Sequence, residues 1–278
     1  MLRISLRLPN ILVALAIAST ALGLSDAAMA QGYRLRGISP IFDGWEEGPD
    51  KSRLFYFGYI NRNSTESTIA IGSENGFDGG QPDRGQPTTF LTGRQEHVFT
   101  VRVPADFKGK LVWTIKSEMG AQTATASFNQ LYMLEQRENA SADARPPEVK
   151  VSEMAAKVGE RVALQPAIKP AVSGGQVVVE AAATEAAGLT ITWSKYRGPG
   201  AVSFSSTEPA AGAGRGAAAR GRGAAAPGVF PITCGGRPAA GCGAVAATFS
   251  APGEYTLRIA ARQDGMQGLG FLRVTINP

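Results

Sequence analysis

Short segments in which apolar and polar residues alternate run through most of this sequence. From Leu54 to Ile60, the side chains of Phe55, Phe57 and Tyr59 share one face, and the opposite face is also largely apolar. A period of two is the pattern of a β-strand, and apolar residues on both faces are typical of a strand in the middle of a sheet. The sequence therefore predicts a central strand at this position.

The same pattern continues as far as residue 135. Phe99, Val101 and Val103 share a face, and residues 111–115 and 123–128 add further strands. The segment 72–87 is crowded with Gly, Asn, Asp and Pro, so we predict a long loop there. Six or seven strands in a meander are the number expected of a β-sandwich. We predict one such domain over residues 31–135.

A second set of alternating segments fills residues 148–278, after a polar linker at 136–147 that ends in two prolines. Residues 209–229 are almost entirely Ala, Gly, Arg and Pro, and they supply little that could enter a core, so we predict a disordered insertion. The predicted fold class is all-β, with two immunoglobulin-like β-sandwich domains in tandem.

The first 30 residues have the pattern of a cleavable signal peptide. Arg3 and Arg7 precede an apolar stretch at 11–24, and Ala28 and Ala30 occupy the positions that signal peptidase reads. Cleavage would leave Gln31 as the new N-terminus. The apolar stretch is shorter than the ~20 residues that cross a bilayer, and no later segment is apolar enough to do so. We therefore expect a periplasmic or secreted protein with no transmembrane segment in the mature chain.

Charge and cysteine content restrict the possible functions and the state of the cysteines. The net charge of +5 is mild and its basic residues are scattered, whereas a nucleic-acid-binding domain concentrates them on one face. The arginines of the predicted insertion have no neighbouring aromatic residues on which bases could stack. Cys234 and Cys242 lie close together in a chain bound for an oxidising compartment, so we predict a disulfide that clips a loop, with two free thiols as the alternative.

Three segments carry a family likeness. Ile191–Lys195 (ITWSK), Gly198–Phe204 (GPGAVSF) and Thr248–Leu257 (TFSAPGEYTL) resemble the PKD-like branch of immunoglobulin-fold modules, which is named after the polycystic kidney disease repeats. The resemblance covers residues 148–278. It implies an extracytoplasmic module used for spacing, adhesion or docking, and it does not imply an enzyme.

An immunoglobulin core assigns structural roles to four residues of this region. A buried tryptophan on the third strand packs against an inter-sheet pair in such a core, and Trp193 with Leu164 and Leu257 would supply that arrangement. Tyr255 lies two residues before Leu257, where a tyrosine corner would bind back to the backbone. We predict that these residues form the core of the second domain.

The first domain offers little catalytic chemistry. Phe57–Asn63 and Asp83–Phe90 are similar to a recurrent segment of exported bacterial proteins, and that resemblance carries no known chemistry. His97 is the only histidine, and its place on an alternating strand favours a partly buried structural role over catalysis. No G-x-S-x-G nucleophile motif occurs. Cysteine catalysis is disfavoured because the two thiols are expected to pair.

Two groups of residues in the first domain are candidates for ligand binding. Glu74, Asp78 and Asp83 offer oxygen ligands that suit calcium, although Asp and Asn beside Gly are also ordinary turn formers. Aromatic rings on a sheet face can stack on sugars, and the candidates are Trp45, Tyr56 and Tyr59, with core packing as the alternative. Trp45 is the strongest of the three because Gly44–Glu47 is predicted to be a loop.

These patterns favour a non-catalytic exported binding or structural module, used for protein docking, adhesion or spacing at the cell envelope. The alternative is a carbohydrate-binding accessory protein. A second alternative is a carboxylate-dependent hydrolase using residues such as Glu46 and Asp78. The expected partner is a cell-envelope or extracellular protein, or a glycan in the first alternative. Apart from calcium, the sequence predicts no cofactor.

Overall fold

The computed structural model describes residues 36–48, 50–134, 145–169, 188–207, 228–234 and 242–278. The predicted signal peptide lies outside these residues, as do the predicted linker up to residue 144 and the predicted insertion up to residue 227. The described chain consists of β-strands and their connections, with one short 3₁₀ turn at Gln130–Tyr132. Within these ranges, no helix has the length and apolar character needed to cross a bilayer.

The first group of strands forms two three-stranded sheets and one small pair. The strands are β1 Ile38–Glu47, β2 Arg53–Asn61, β3 Ser67–Thr68, β4 Asn75–Phe77, β5 Thr89–Phe90, β6 Gly93–Val103, β7 Leu111–Ser117 and β8 Gly120–Ala126. One sheet has the order β1-β2-β6 and the other β4-β7-β8, while β3 pairs with β5. The prediction that residues 54–60 form a central strand is confirmed, since β2 lies between β1 and β6.

The first sandwich has an aromatic core. Phe57 stacks on Phe99 within one sheet and meets Trp113 of the other sheet edge to face, with ring centroids 5.4 Å and 6.0 Å apart. Phe77 lies parallel to Trp113 at 6.1 Å. Offset and edge-to-face contacts of this kind add to the stabilisation that comes from burying the rings. The alternating aromatic residues of β2 and β6 therefore hold the two sheets together.

Asn75 is the polar centre of this aromatic core. Its amide nitrogen donates to the carbonyl oxygens of Ile69 and Pro87, and its amide oxygen accepts from Trp113 Nε1 at 3.0 Å. The residue lies on β4, which pairs with β7, so the prediction of an uninterrupted loop over residues 72–87 is wrong. Turn-forming residues dominate that segment, but the buried amide satisfies the backbone and allows a short strand to form in the middle of it.

The second group of strands forms a five-stranded and a three-stranded sheet. The strands are β9 Glu148–Lys150, β10 Met154–Lys157, β11 Val162–Leu164, β12 Ala167–Lys169, β13 Thr190–Arg197, β14 Val202–Ser206, β15 Val229–Thr233, β16 Val245–Phe249, β17 Gly253–Gln263 and β18 Met266–Asn277. The larger sheet has the order β10-β18-β17-β13-β15, the smaller β11-β16-β14, and β9 pairs with β12. Only β10 runs parallel to its neighbour, β18, among these described pairings.

The core of the second sandwich contains the four residues assigned to it from the sequence. Leu164, Trp193 and Leu257 are buried in one cluster, and Trp193 Nε1 donates to Gly243 O at 2.8 Å. The Tyr255 hydroxyl donates to Ala251 O at 2.9 Å, four residues upstream. A buried tryptophan on one sheet and a tyrosine corner are features of the immunoglobulin fold. The prediction of an all-β chain with two immunoglobulin-like sandwiches is confirmed.

A disulfide joins Cys234 to Cys242, with their Cα atoms 5.8 Å apart. Both cysteines are buried within the second core, and Cys234 N donates to Leu189 O at 2.9 Å. The predicted disulfide is therefore confirmed, although the sequence suggested a clip on a loop. The structure instead places this bond among core side chains, at the point where β15 ends.

Candidate functional site

Trp45 is buried, which corrects the prediction that it lies in an exposed loop. It belongs to β1, whose pairing with β2 continues past a bulge between Phe42 and Gly44 as far as Glu47. This register directs the indole into the core, where only 6% of the residue is exposed. The indole nitrogen donates to Asn129 O at 3.0 Å. A ring held in this way cannot stack on a sugar.

Tyr56 and Tyr59 lie on opposite faces of β2. Tyr59 is buried, its hydroxyl accepts from Leu91 N at 2.8 Å, and burial raises the pKa of Tyr59 well above its usual value. Tyr56 is half-buried and donates to a Glu46 carboxylate oxygen, and burial followed by this hydrogen bond raises the pKa of Tyr56 as well. The three predicted aromatic candidates therefore do not form a shared platform.

The acidic candidates of the first sandwich also remain separate. Glu74, Asp78 and Asp83 are all exposed, and the described part of the chain contains no group of three His, Cys, Asp or Glu residues that could hold a metal ion. Asp83 already has a cationic partner, because both its carboxylate oxygens accept from Arg197, at 2.8 and 2.9 Å. This hydrogen bonding lowers the pKa of Asp83.

His97 has a structural environment. It lies at a bulge where β6 passes Gly58 of β2, with a φ of 46°, and its backbone N–H donates to Asp43 Oδ2 at 2.8 Å. Its ring packs edge to face against Tyr56. His97 and Val98 fall in the break of register between β2 and β6, and their backbone carbonyls accept hydrogen bonds from the second sandwich.

Several buried polar side chains of the described residues lie where the two sandwiches meet. We call this contact the seam. On the first sandwich it consists of residues 83–91 and the β6 bulge, and on the second it consists of β13 and the facing parts of β17 and β18. The contacts that join the two sandwiches connect residues that are far apart in the sequence.

Tyr196 crosses the seam. It belongs to β13 of the second sandwich, yet its side chain is buried in the hydrophobic cluster of the first. Its hydroxyl donates to Gly85 O, and its own carbonyl accepts from Thr88 N at 3.1 Å. Its ring also contacts Phe271 of β18, with centroids 4.9 Å apart. Burial raises the pKa of Tyr196 far above its usual value, so the hydroxyl stays protonated and remains a donor.

Arg197, the next residue, binds the first sandwich through its guanidinium group. It makes two hydrogen bonds to the Asp83 carboxylate, and its Nε donates to Gln86 O at 2.9 Å. The loop is shaped for this contact by Gln86, whose buried side-chain amide donates to Pro82 O at 2.7 Å. A two-pronged arginine–carboxylate pair fixes orientation as well as distance.

Arg258 and Gln267 donate hydrogen bonds to backbone carbonyls of the β6 bulge. Arg258 Nε donates to Val98 O and Arg258 Nη2 to His97 O, both at 3.3 Å, while the Gln267 amide donates to His97 O at 3.2 Å. Arg258 is 8% exposed, and burial lowers its pKa. The bulge that takes His97 out of regular pairing thus creates acceptors for the other sandwich.

Lys195 is the second buried cation at the seam. The residue is 7% exposed, and its ammonium donates to Gly200 O at 3.1 Å. The nearest carboxylate oxygen, Oε1 of Glu66, lies 3.8 Å away, at the limit of an ion pair. None of Lys195, Tyr196 and Arg258 was identified from the sequence, and Tyr196 reaches the hydrophobic cluster of the first sandwich.

No protein-family model and no curated protein sequence matches this chain. Among solved structures, the D0-D1 domain of intimin matches with 12% identity and a TM-score of 0.25, over 86% of this chain and 98% of that chain. The titin Ig tandem domains A164-A165 match with 8% identity and a TM-score of 0.22, over 87% and 98%. Drosophila N-cadherin EC1-3 matches with 11% identity and a TM-score of 0.24, over 86% and 67%. Scores this low carry no argument, so the fold class is assigned from the strands and cores described above.

Proposed function

We propose that this protein is an exported, non-catalytic module in which two immunoglobulin-like sandwiches are held in one orientation, so that it docks or spaces other proteins at the cell envelope. The observation that carries the proposal is the seam. Neighbouring domains in one chain move relative to each other unless their interface is well packed. Here Tyr196 of one sandwich completes the core of the other, while Arg197 binds its 83–86 loop and Arg258 binds its β6 bulge.

The chemistry of the described residues fits a structural role. The charged side chains at the seam bind backbone carbonyls or one another, and the backbone around His97 is used to build the contact. The buried disulfide fits an oxidising compartment outside the cytoplasm. Cleavage after Ala30 and membership of the PKD-like branch remain part of this proposal.

No specific observation favours the two alternative functions. Carbohydrate binding needs exposed rings, and Trp45 and Tyr59 are buried. A carboxylate-dependent hydrolase needs two carboxyl groups facing one cleft. Glu46 instead accepts a hydrogen bond from Tyr56 on β2, while Asp78 lies exposed beyond β4.

A distance measurement between the two sandwiches tests the fixed orientation. Spin labels at Lys108→Cys and Ala155→Cys, which are exposed positions on the first and second sandwich, report that distance by pulsed electron resonance in the mature protein. We expect one narrow distance distribution. A broad distribution would contradict the proposal, since independently moving domains cannot act as a rigid spacer.

Export and docking need a test in cells. We expect the envelope fraction to contain a chain that begins at Gln31, as read by N-terminal sequencing. A photo-crosslinking amino acid at exposed Tyr132 should capture a discrete protein partner, whereas the same probe at buried Phe57 should capture none. A cytosolic, uncleaved chain, or the same captured species at both positions, would contradict the proposal.

A further inference from the structure

We propose that the seam encloses a binding site for one small monovalent anion of halide size, held between Arg258, Lys195 and Thr89. A pocket at the seam is lined by these three residues together with Tyr59, Gln95 and Tyr196. The proposal goes beyond docking or spacing, and it does not depend on which partner the protein binds.

The first argument is charge. Arg258 binds only the carbonyl oxygens of His97 and Val98, and no carboxylate of the described chain lies within ion-pair distance of it. Lys195 has one carboxylate neighbour, Glu66, at the long distance of 3.8 Å. Of these two buried cations, only Lys195 has a carboxylate near it, and that carboxylate is partly exposed. An uncompensated buried charge is costly, so a negative ion in this pocket would stabilise the fold.

The second argument is the lack of acceptors for donors that line the pocket. Thr89 is 2% exposed, and its hydroxyl oxygen has no hydrogen-bond partner. The Tyr59 hydroxyl accepts from Leu91 N, and its own proton has no acceptor among the described residues. Polar groups buried to this degree are normally paired. An anion would accept from both hydroxyls.

The third argument is size. The cavity has a volume of about 10 Å³, which leaves room for a single small particle. A sugar, nucleotide or peptide needs a pocket of several hundred Å³. A single water is the competing occupant, and the anomalous signal of bromide separates it from an anion.

Thermal unfolding at constant ionic strength tests the proposal on the mature protein. Replacing sodium gluconate, whose anion is too large for the pocket, with sodium chloride or bromide should raise the midpoint of unfolding by about 2–4 °C once the site fills. The rise should disappear in Arg258→Gln. It should persist in Arg102→Gln, because Arg102 pairs with Asp50 at an exposed position of the first sandwich.

Crystals grown in sodium bromide provide the direct test, since bromide has an anomalous signal that water lacks. We expect a peak between Arg258 and Thr89. If Arg258→Gln does not fold, Thr89→Val keeps the side-chain shape and should weaken the halide dependence severalfold. A water in place of the peak, or equal halide dependence in wild type and both variants, would overturn the proposal. A narrow interdomain distance in halide-free buffer would still leave the proposed spacer function intact.

Discussion

One buried amide, that of Asn75, organises the polar interior of the first sandwich. It binds two backbone carbonyls and the Trp113 indole at once. The sequence places Asn75 beside Gly76 among turn residues, so an ordinary turn was the natural interpretation. Its role depends on Trp113, which is distant in the sequence and reaches it only after β7 pairs with β4. No local pattern could have revealed this.

Asn75→Ala should lower the free energy of unfolding by about 2–4 kcal/mol, because it leaves two carbonyls and one indole N–H buried without partners. Urea denaturation measures the loss. Asn129→Ala is the matched control, since Asn129 caps an exposed 3₁₀ turn and its loss should cost about 0.5–1 kcal/mol. Equal losses in the two variants would show that the Asn75 network does not form.

Tyr255 makes a comparable contribution in the second sandwich. Its hydroxyl donates to Ala251 O and accepts from Gly200 N, so it ties two loops to β17. Tyr255→Phe should cost about 1–3 kcal/mol by urea denaturation, since both backbone groups lose a partner. Tyr132→Phe, at an exposed ring, should change stability by less than about 0.5 kcal/mol. A neutral Tyr255→Phe would contradict the tyrosine corner.

At the scale of the strand, alternation in the sequence predicts the strands correctly where one register continues. It fails where the register changes. Alternation identifies β2 and most of β6, because side chains on one face all enter the same core. A bulge in β1 keeps Trp45 in the ladder when glycine and acidic residues suggest a loop. The β6 bulge at His97 likewise leaves no local signature, since it depends on pairing with Gly58.

The contribution of the disulfide to stability can be judged only once its place among the strands is known. Replacing both Cys234 and Cys242 by Ala should cost about 2–3 kcal/mol, because the short closed loop loses its constraint in the unfolded chain. The cysteines are buried in the core, so packing adds to this loss. Each single Cys→Ala variant should match the double variant within error in chemical denaturation. A loss below about 1 kcal/mol would restore the interpretation as a loop clip.

At the scale of the whole molecule, two sandwiches could be predicted and their contact could not. Alternation identifies which strand faces are apolar, but it does not say which outward face meets another domain. Arg197 and Asp83 are 114 residues apart, and each resembles an ordinary surface charge in its own segment. The functional hypothesis could therefore be stated only as a class, while the candidate site had to come from the structure.

Arg197→Ala should loosen the seam without unfolding either sandwich, because it removes the contacts to Asp83 and Gln86 and leaves both cores intact. In the protein labelled at positions 108 and 155, we expect the interdomain distance distribution to broaden. Arg102→Ala, which removes an exposed charge pair within the first sandwich, should leave the distribution unchanged. An unchanged distribution in Arg197→Ala would assign the rigidity to Tyr196 and Arg258 alone.

The same ion pair gives the seam a pH dependence of known sign. The folded pKa of Asp83 lies below its ordinary value, so the pair stabilises the protein fully above about pH 4. That contribution is lost as pH falls through the lowered folded pKa. The free energy of unfolding should therefore fall more in wild type than in Asp83→Asn between pH 5 and pH 2.5, by less than about 1 kcal/mol because the carboxylate is partly exposed. Parallel curves of unfolding free energy against pH in the two proteins would contradict this contribution of the ion pair.

The position of Tyr196 has a consequence for inheritance. By sequence it belongs to the second half of the chain, and by packing it belongs to the first. A gene fragment that encodes the first half alone would yield a core that lacks the Tyr196 side chain. The second half alone would expose the Tyr196 ring to solvent. We therefore expect a recombination event that separates the two halves to destabilise both of them.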